Sequence, residues 1–345
     1  MKKVFISAFL LLSLLTLNGC KSNQPPVKET GEPYGVNLAC ADFGSSFPGE
    51  YNKDYTYPTD QDLEYWQKKG LKLIRLPFKW ERLQLDLKGP LNHDLNKMNE
   101  LVRAAEKRDM VVILDLHNYC RRFMNNEHTL IGNNGLTIED LASFWQAIAK
   151  EFSTFKNIYG YGLMNEPHDL APETKWYDSA QASINAIREV DTNTLIMVGG
   201  NDWSSAERWI EQSDTLKFLK DPANNLAFEA HVYFDKDASG TYKYSYEEEE
   251  CYPEKGIDRV KPFVEWIKQN KFHGFIGEYG IPDNDPRWNE TLDLFLGYLQ
   301  ENGINGTYWA AGPWWDTYFM AITPKDGKDR PQMPIIEKYT STLKK

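Results

Sequence analysis

Short apolar runs alternate with longer amphipathic ones along most of the chain. Tyr34-Gly-Val-Asn-Leu-Ala, Leu71-Lys-Leu-Ile-Arg-Leu-Pro-Phe and Met110-Val-Val-Ile-Leu-Asp-Leu-His117 read as three strands. The third is apolar at nearly every position, as suits a parallel strand buried on both faces. Tyr159 to Asn165, Leu195-Ile-Met-Val-Gly-Gly, Leu226 to Tyr233, Gly274 to Glu278 and Asn305 to Trp309 supply five more. The intervening stretches carry a helical period. Thr59 or Asp60 caps a helix bearing Leu63 and Trp66, and Gly70 ends it. Leu91 to Arg108 sets Leu95, Met98, Leu101, Val102 and Ala105 on one face. Further helices are predicted over Thr137–Phe155, Pro172–Val190, Trp203–Gln212, Ile257–Asn270, Trp288–Asn302 and, closing the chain, Pro334–Leu343. Eight strands alternating with helices in one register predict an α/β fold, a single (β/α)8 barrel over residues 34–345.

The amino terminus has a different pattern. Residues 1–19 open Met1-Lys2-Lys3 and run apolar from Val4 to Leu17, too short a stretch to favour a spanning helix and in the form of a secretory signal. The run ends Leu17-Asn18-Gly19-Cys20, which resembles a bacterial lipoprotein cleavage site. That resemblance implies cleavage before Cys20, acylation of Cys20 and attachment to the cell envelope, at the outer membrane. Residues 20–33, polar and bearing prolines, then read as a tether. Several acyl chains on one cysteine would hold the protein at a membrane stably.

Composition narrows the partners. The formal net charge is −11, so nucleic acid and anionic headgroups are poor partners and a neutral polymer a compatible one. Eleven tryptophans and 19 tyrosines are many, and their flat faces suit sugar rings as well as cores. With Cys20 acylated, Cys40, Cys120 and Cys251 form an odd remainder, and their spacing is not that of a zinc site. No metal or organic cofactor is expected, and the chain reads as a monomer.

In a parallel barrel the carboxyl ends of the strands form the active-site face. Pro167 stops the fourth strand just after Asn165 and Glu166. The seventh strand has the same form and delivers Glu278. Two carboxylates on two strand ends are what acid-assisted glycoside hydrolysis requires. Arg75 is placed at the end of the second strand, His117 and Asn118 at the third, His231 and Tyr233 at the sixth, Trp309 at the eighth. Each alone has a structural explanation; together they occupy one face of one fold.

At these residues the sequence resembles glycoside hydrolase family 5. The matching pieces are Ile74-Arg-Leu-Pro-Phe, Leu116-His-Asn-Tyr, Leu163-Met-Asn-Glu-Pro, His231-Val-Tyr, Gly277-Glu-Tyr-Gly and Tyr308-Trp-Ala-Ala-Gly. Gly35-Val-Asn-Leu-Ala, Asp221-Pro-Ala-Asn-Asn, Gly312-Pro-Trp-Trp and Asp329-Arg-Pro-Gln-Met bring it closest to the family's bacterial and fungal endo-β-1,4-glucanases. The resemblance implies Glu166 as acid/base and Glu278 as nucleophile of a retaining enzyme acting on cellulose-type and mixed-linkage β-glucans. The chemistry of the residues agrees. Arg75 and the Tyr233 hydroxyl would favour an ionised Glu278. Glu166 would have to carry a proton, which the charge of Glu278 and partial burial favour. Asn165 would bond the sugar 2-hydroxyl, His117 and His231 would position the ring, and Trp309 would stack beneath it. Trp314 and Trp315 would extend the cleft. A β-mannanase or xyloglucanase of the same family stays open. So does a non-catalytic glycan-binding lipoprotein, whose expected mark, loss of Glu166 or Glu278, is not seen.

Overall fold

The structure, a computed structural model, describes residues 34–340. The expected signal over 1–19, Cys20 and the tether to residue 33 lie outside the described residues. Eight parallel strands close a barrel in the order β1 (Tyr34–Leu38), β10 (Asn305–Ala311), β9 (His273–Gly280), β8 (Leu226–Tyr233), β7 (Leu195–Gly199), β6 (Ile158–Gly162), β3 (Val111–Leu116) and β2 (Leu73–Phe78). The (β/α)8 expectation therefore holds. The larger helices are α1 (Asp60–Lys68), α3 (Leu95–Lys107), α4 (Ile138–Phe152), α5 (Trp176–Arg188), α8 (Lys255–Asn270) and α9 (Arg287–Glu301). Among the described residues no helix is long and apolar enough to cross a membrane.

Helix starts follow local chemistry. Thr59 and Asp62 form a reciprocal cap on α1, as Thr137 and Asp140 do on α4. Each satisfies backbone donors that the first turn leaves free. Two helices also brace the mouth from outside. Trp145 of α4 donates its indole N–H to Leu163 O at 3.0 Å, and Trp176 of α5 to Gly199 O at 2.7 Å.

The sequence reading departs from the structure in five places. Helix α10 covers Met333–Glu337; of the expected Pro334–Leu343, residues 338–340 are turn and bend, and 341–343 lie outside the described residues. Strand β6 stops at Gly162, so Asn165 and Glu166 lie beyond it, though Asn165 N still donates to Leu116 O at 2.8 Å. Arg75 sits in the middle of β2, not at its end, and is fully buried. The hairpin of β4 (Arg121–Met124) and β5 (Glu127–Leu130) was not foreseen. Its two-residue turn, Asn125-Asn126, has φ of 52° and 63°, which asparagine tolerates better than most residues. The expected helix Trp203–Gln212 is instead two short pieces, α6 (Asn201–Ser204) and α7 (Trp209–Ser213). Asp202, Trp203 and Ser204 are left-handed, with φ of 54°, 56° and 55°. Each costs about 1–3 kcal/mol unless the surroundings hold it.

Inside the barrel, side chains alternate along each strand and stack in layers. The floor is an apolar cluster separate from the main core: Leu73, Ile113, Tyr159, Leu195, Met197, Ala227 and Phe275. Two residues further along their strands stand Arg75, Asp115 and Glu229, all buried. One more step reaches His117 and His231. The main core packs the outer barrel face against the helices, with Trp66, Trp145, Trp176, Trp209 and Trp288 among its largest members.

Candidate active site

Glu278 reaches the cavity through a break in register. Ala230 pairs with Ile276, but the next residue, His231, pairs with Glu278. On the other side Gly306 pairs with Ile276 and Tyr308 with Tyr279. Both neighbours record one extra residue in β9. Such a bulge re-aims a side chain; here Phe275 points to the floor, and strict alternation would have sent Gly277, not Glu278, inward. Gly277 has no room for a side chain, since a Cβ there would lie 2.3 Å from Glu229 Oε1.

Glu278 is 4% exposed. Its Oε2 accepts from the Tyr233 hydroxyl at 2.7 Å, and its Oε1 from Arg75 Nη1 at 3.3 Å. Both contacts favour the carboxylate. Burial outweighs them, helped by the charge of Glu166, and holds the Glu278 carboxyl up at about 7.

Glu166 sits otherwise. It follows the end of β6 with φ of 46°, a left-handed backbone, and its side chain keeps 17% exposure. Its Oε1 lies 2.8 Å from His231 Nδ1. The same ring nitrogen is 3.7 Å from Glu278 Oε2, and Nε2 is 3.3 Å from Glu229 Oε1. One atom each from Glu166, His231 and Glu278 therefore lie within 4.8 Å of one another. Among the described residues this is the group whose spacing could also admit a metal ion. Its atoms are engaged in direct contacts with each other, which suits sharing of protons. Burial opposes charge on His231, but Glu278, Glu166 and Glu229 together push it up to about 10.

Arg75 is the hub beneath. Its Nη1 donates to Asn37 Oδ1 at 2.9 Å; its Nη2 donates to Asn165 Oδ1 and Glu229 Oε1, each at 2.8 Å. Asp115 Oδ1 is 2.9 Å from the same Nη2. Asp115 also holds His117, its Oδ2 being 2.8 Å from Nδ1. The other ring nitrogen of His117 faces the Tyr119 hydroxyl at 3.0 Å and Asn165 Nδ2 at 3.4 Å. Burial pushes His117 down to about 3 and Asp115 up to about 7.

Rings line the rim. Trp309 stacks on His117 at 5.5 Å and 10°. Trp315 stands edge-on to Trp309 at 6.0 Å and donates its indole N–H to Ala39 O, so it braces Trp309 from behind. Trp314 is 48% exposed on a left-handed backbone, φ 71°. Across the mouth Trp203 stacks on His168 at 4.5 Å and 15°, and His168 Nδ1 meets Glu166 O at 2.8 Å. A hollow of about 300 Å³ opens there, bordered by Glu166, Trp203, Arg208, His231 and Tyr233.

Comparison with known proteins places this mouth. Residues 27–314 match the model of the cellulase family, glycosyl hydrolase family 5. The chain belongs to that family. Endo-β-1,4-glucanase B of Emericella nidulans is similar to this family 5 chain at 34% identity over 301 residues, covering 85% of the chain and 87% of the relative. The solved endoglucanase Cel5A of Pseudomonas stutzeri, in complex with cellobiose, is 40% identical with a TM-score of 0.83, covering 90% and 92% of the two chains. An endo-β-1,4-glucanase structure from Xanthomonas axonopodis pv. citri is 40% identical with a TM-score of 0.82, covering 90% and 99%.

Within the family 5 barrel, most sequence-chosen residues meet. Arg75, His117, Asn165, Glu166, His231, Tyr233, Glu278 and Trp309 form one connected network of contacts. Asn118 stands aside: it accepts from Trp80 N at 2.9 Å and donates to Glu81 Oε2 at 2.9 Å and Arg121 O at 3.0 Å, so its amide is spent on the short helix α2 (Trp80–Leu83) and the start of β4. Sequence reasoning missed Asn37, Asp115, Glu229, His168 and Trp203. For two of them a signal existed. Asp115-Leu-His117 and Glu229-Ala-His231 put a carboxylate two residues below a histidine on the same side of a strand. Cys40, Cys120 and Cys251 are all free thiols.

Proposed function

We propose that this chain is a retaining endo-β-1,4-glucanase that cuts internal bonds of cellulose-type and mixed-linkage β-glucans by double displacement. The observation that carries the mechanism is the approach of Glu166 and Glu278 through His231, with one atom of each within 4.8 Å. An inverting pair stands roughly 6.5–9.5 Å apart to admit a water, whereas a retaining pair stands at about 5–5.5 Å. At the shorter spacing Glu278 itself must attack the anomeric carbon. Tyr233 and Arg75 hold its two oxygens for that attack. Glu166, more exposed and at the edge of the hollow, gives a proton to the departing oxygen. It then takes one from the water that opens the glycosyl ester on Glu278. Asn165, fixed by Arg75, is placed to meet the sugar 2-hydroxyl, and Trp309 offers a face to the ring.

The glucan preference rests on the named activities of relatives that span most of this chain. Carboxymethylcellulose viscosity should fall well before much reducing sugar appears. Faster action on mannan than on any glucan would overturn the substrate, and an initial product of α configuration by proton NMR would overturn the mechanism.

The envelope anchor is a second part of the reading. It is supported by Leu17-Asn18-Gly19-Cys20 and the polar stretch behind it. Cys20→Ala should move the protein from the membrane fraction to a soluble or uncleaved form. A wild-type protein that is already soluble and carries no acyl mass would end that reading.

A further inference from the structure

The layer beneath the mouth holds a carboxylate that double displacement leaves without a part. Glu229 lies on β8, two residues below His231, and is 3% exposed. Its Oε1 accepts from Arg75 Nη2 at 2.8 Å and faces His231 Nε2 at 3.3 Å. The neighbouring strand β9 gives up a side chain to seat it, since a Cβ on Gly277 would meet Glu229 Oε1 at 2.3 Å. Each nitrogen of His231 thus faces a carboxylate: Glu229 on Nε2, and Glu166 on Nδ1 at 2.8 Å. A ring so placed donates on both sides. Its Nδ1 side faces the more exposed carboxylate and its Nε2 side the buried one.

We propose that Glu229 is a positioning residue for the acid/base step, pinning the tautomer of His231 so that His231 and Glu166 hold the catalytic proton between them. This inference rests on the reading of Glu166 as acid/base. In the first half-reaction one proton passes from the pair to the glycosidic oxygen. The bond from C1 to that oxygen breaks as the bond from C1 to Glu278 forms. In the second, the oxygen of water bonds to C1, the ester to Glu278 breaks, and one proton of that water returns to the pair. No other reactant is needed.

Other charges bear on the pair. Arg75 faces it from β2, Asp115 from β3 and Glu278 from β9, with the Tyr233 hydroxyl beside Glu278. Glu207, Arg208, Asp237 and Arg259 line the hollow above. Against that fixed background, removing the charge of Glu229 must loosen the proton, because a nearby negative charge favours the protonated form.

Glu229→Gln keeps an oxygen toward Nε2 and Arg75 while losing the charge. The probes are aryl β-cellobiosides with leaving groups from phenol to 2,4-dinitrophenol. For the phenyl substrate we expect kcat/KM to fall roughly 10- to 100-fold, and its alkaline limb to move to lower pH by about one unit. The dinitrophenyl substrate, whose leaving group needs no proton, should lose far less, and Glu229→Asp should recover part of the phenyl activity. Equal losses on both substrates with an unmoved alkaline limb would make Glu229 a support for Arg75 alone and overturn the proposal. Glu166→Gln on the same series separates the two readings. If it lacks leaving-group dependence, the acid/base assignment fails; if it has it and Glu229→Gln does not, only this proposal fails. Should Glu229→Gln not fold, nitrogen NMR of the wild-type His231 ring decides. As pH rises Nε2 should keep its proton and Nδ1 lose it; the reverse order overturns the proposal.

Discussion

Strands β3 and β8 carry the same device and use it to opposite ends. Each sets a buried carboxylate two residues below a histidine: Asp115 under His117, Glu229 under His231. Yet His117 is held near 3 and His231 near 10. Burial disfavours charge on both rings, so the difference lies in what surrounds them. The outer nitrogen of His117 meets a hydroxyl, and the pull of Asp42 on the ring is opposed by Lys79 and Arg75. His231 meets Glu166, and Glu278 stands behind it. The neutral ring is free to stack under Trp309 and to offer weak bonds to a sugar. The charged ring ties together the two carboxylates that the chemistry needs at different protonation. A local motif sets the geometry, and tertiary neighbours decide the charge.

Removing Glu278 should break the contrast from one side only. Glu278→Gln should lower turnover about 10⁴-fold or more, as loss of a nucleophile does. It also removes the strongest of the charges that hold the His231 proton. The His231 imidazole should therefore titrate lower by NMR while His117 stays where it is. Equal movement of both rings would mean that the two sites are not electrically separate.

Glu166→Ala should come next, at about 10²–10⁴-fold on substrates whose leaving group needs a proton. Loss should be least with 2,4-dinitrophenyl substrates, and azide should restore turnover by forming a β-glycosyl azide. A uniform loss across leaving groups, with no azide product, would deny Glu166 the acid/base part.

Trp309 sharpens the comparison from the His117 side, where a neutral ring has an aromatic partner that, among the described residues, His231 lacks. Trp309→Ala should lower kcat/KM about tenfold, the worth of one good aromatic contact, with little change in melting temperature. Matching losses in activity and stability would return Trp309 to barrel packing.

The barrel was legible because its signal repeats: eight apolar runs in register outvote any local error. The polar residues in and just after those runs also named most of the contact network, from Arg75 to Trp309. What stayed hidden depended on register or on backbone sign. The bulge that turns Glu278 inward is recorded only by its neighbours' pairing. Trp203 read as helical because its neighbours have helical spacing; three left-handed residues and the stack on His168 set it on the rim instead. Asp115 and Glu229 lie inside strand runs, where attention to polar strand ends does not reach them. A two-residue count inward from His117 and His231 would have found both.

The smallest expected effect tests the two histidines through stability. An unfolded histidine titrates near 6.5. His231 is raised, so the folded protein keeps a proton that the unfolded chain loses. Its contribution is complete below about 6.5 and is lost as pH rises through about 10. His117 is lowered, so the unfolded chain takes up a proton that the folded one refuses. Its contribution is complete above about 6.5 and is lost as pH falls toward about 3. Asp115 and Glu278, both raised to about 7, lose stability as pH rises from the ordinary carboxylate range to neutrality, the same sense as His231 and opposite to His117, so variants must be compared with each other. His231→Asn should flatten the alkaline fall in melting temperature, and His117→Asn the acid fall. Each change should amount to a degree or two, since about 1 kcal/mol moves the midpoint of a chain this large by roughly 1–2 °C. An alkaline fall that survives His231→Asn, or one that His117→Asn removes, would assign the charge to the wrong strand and undo the contrast between β3 and β8.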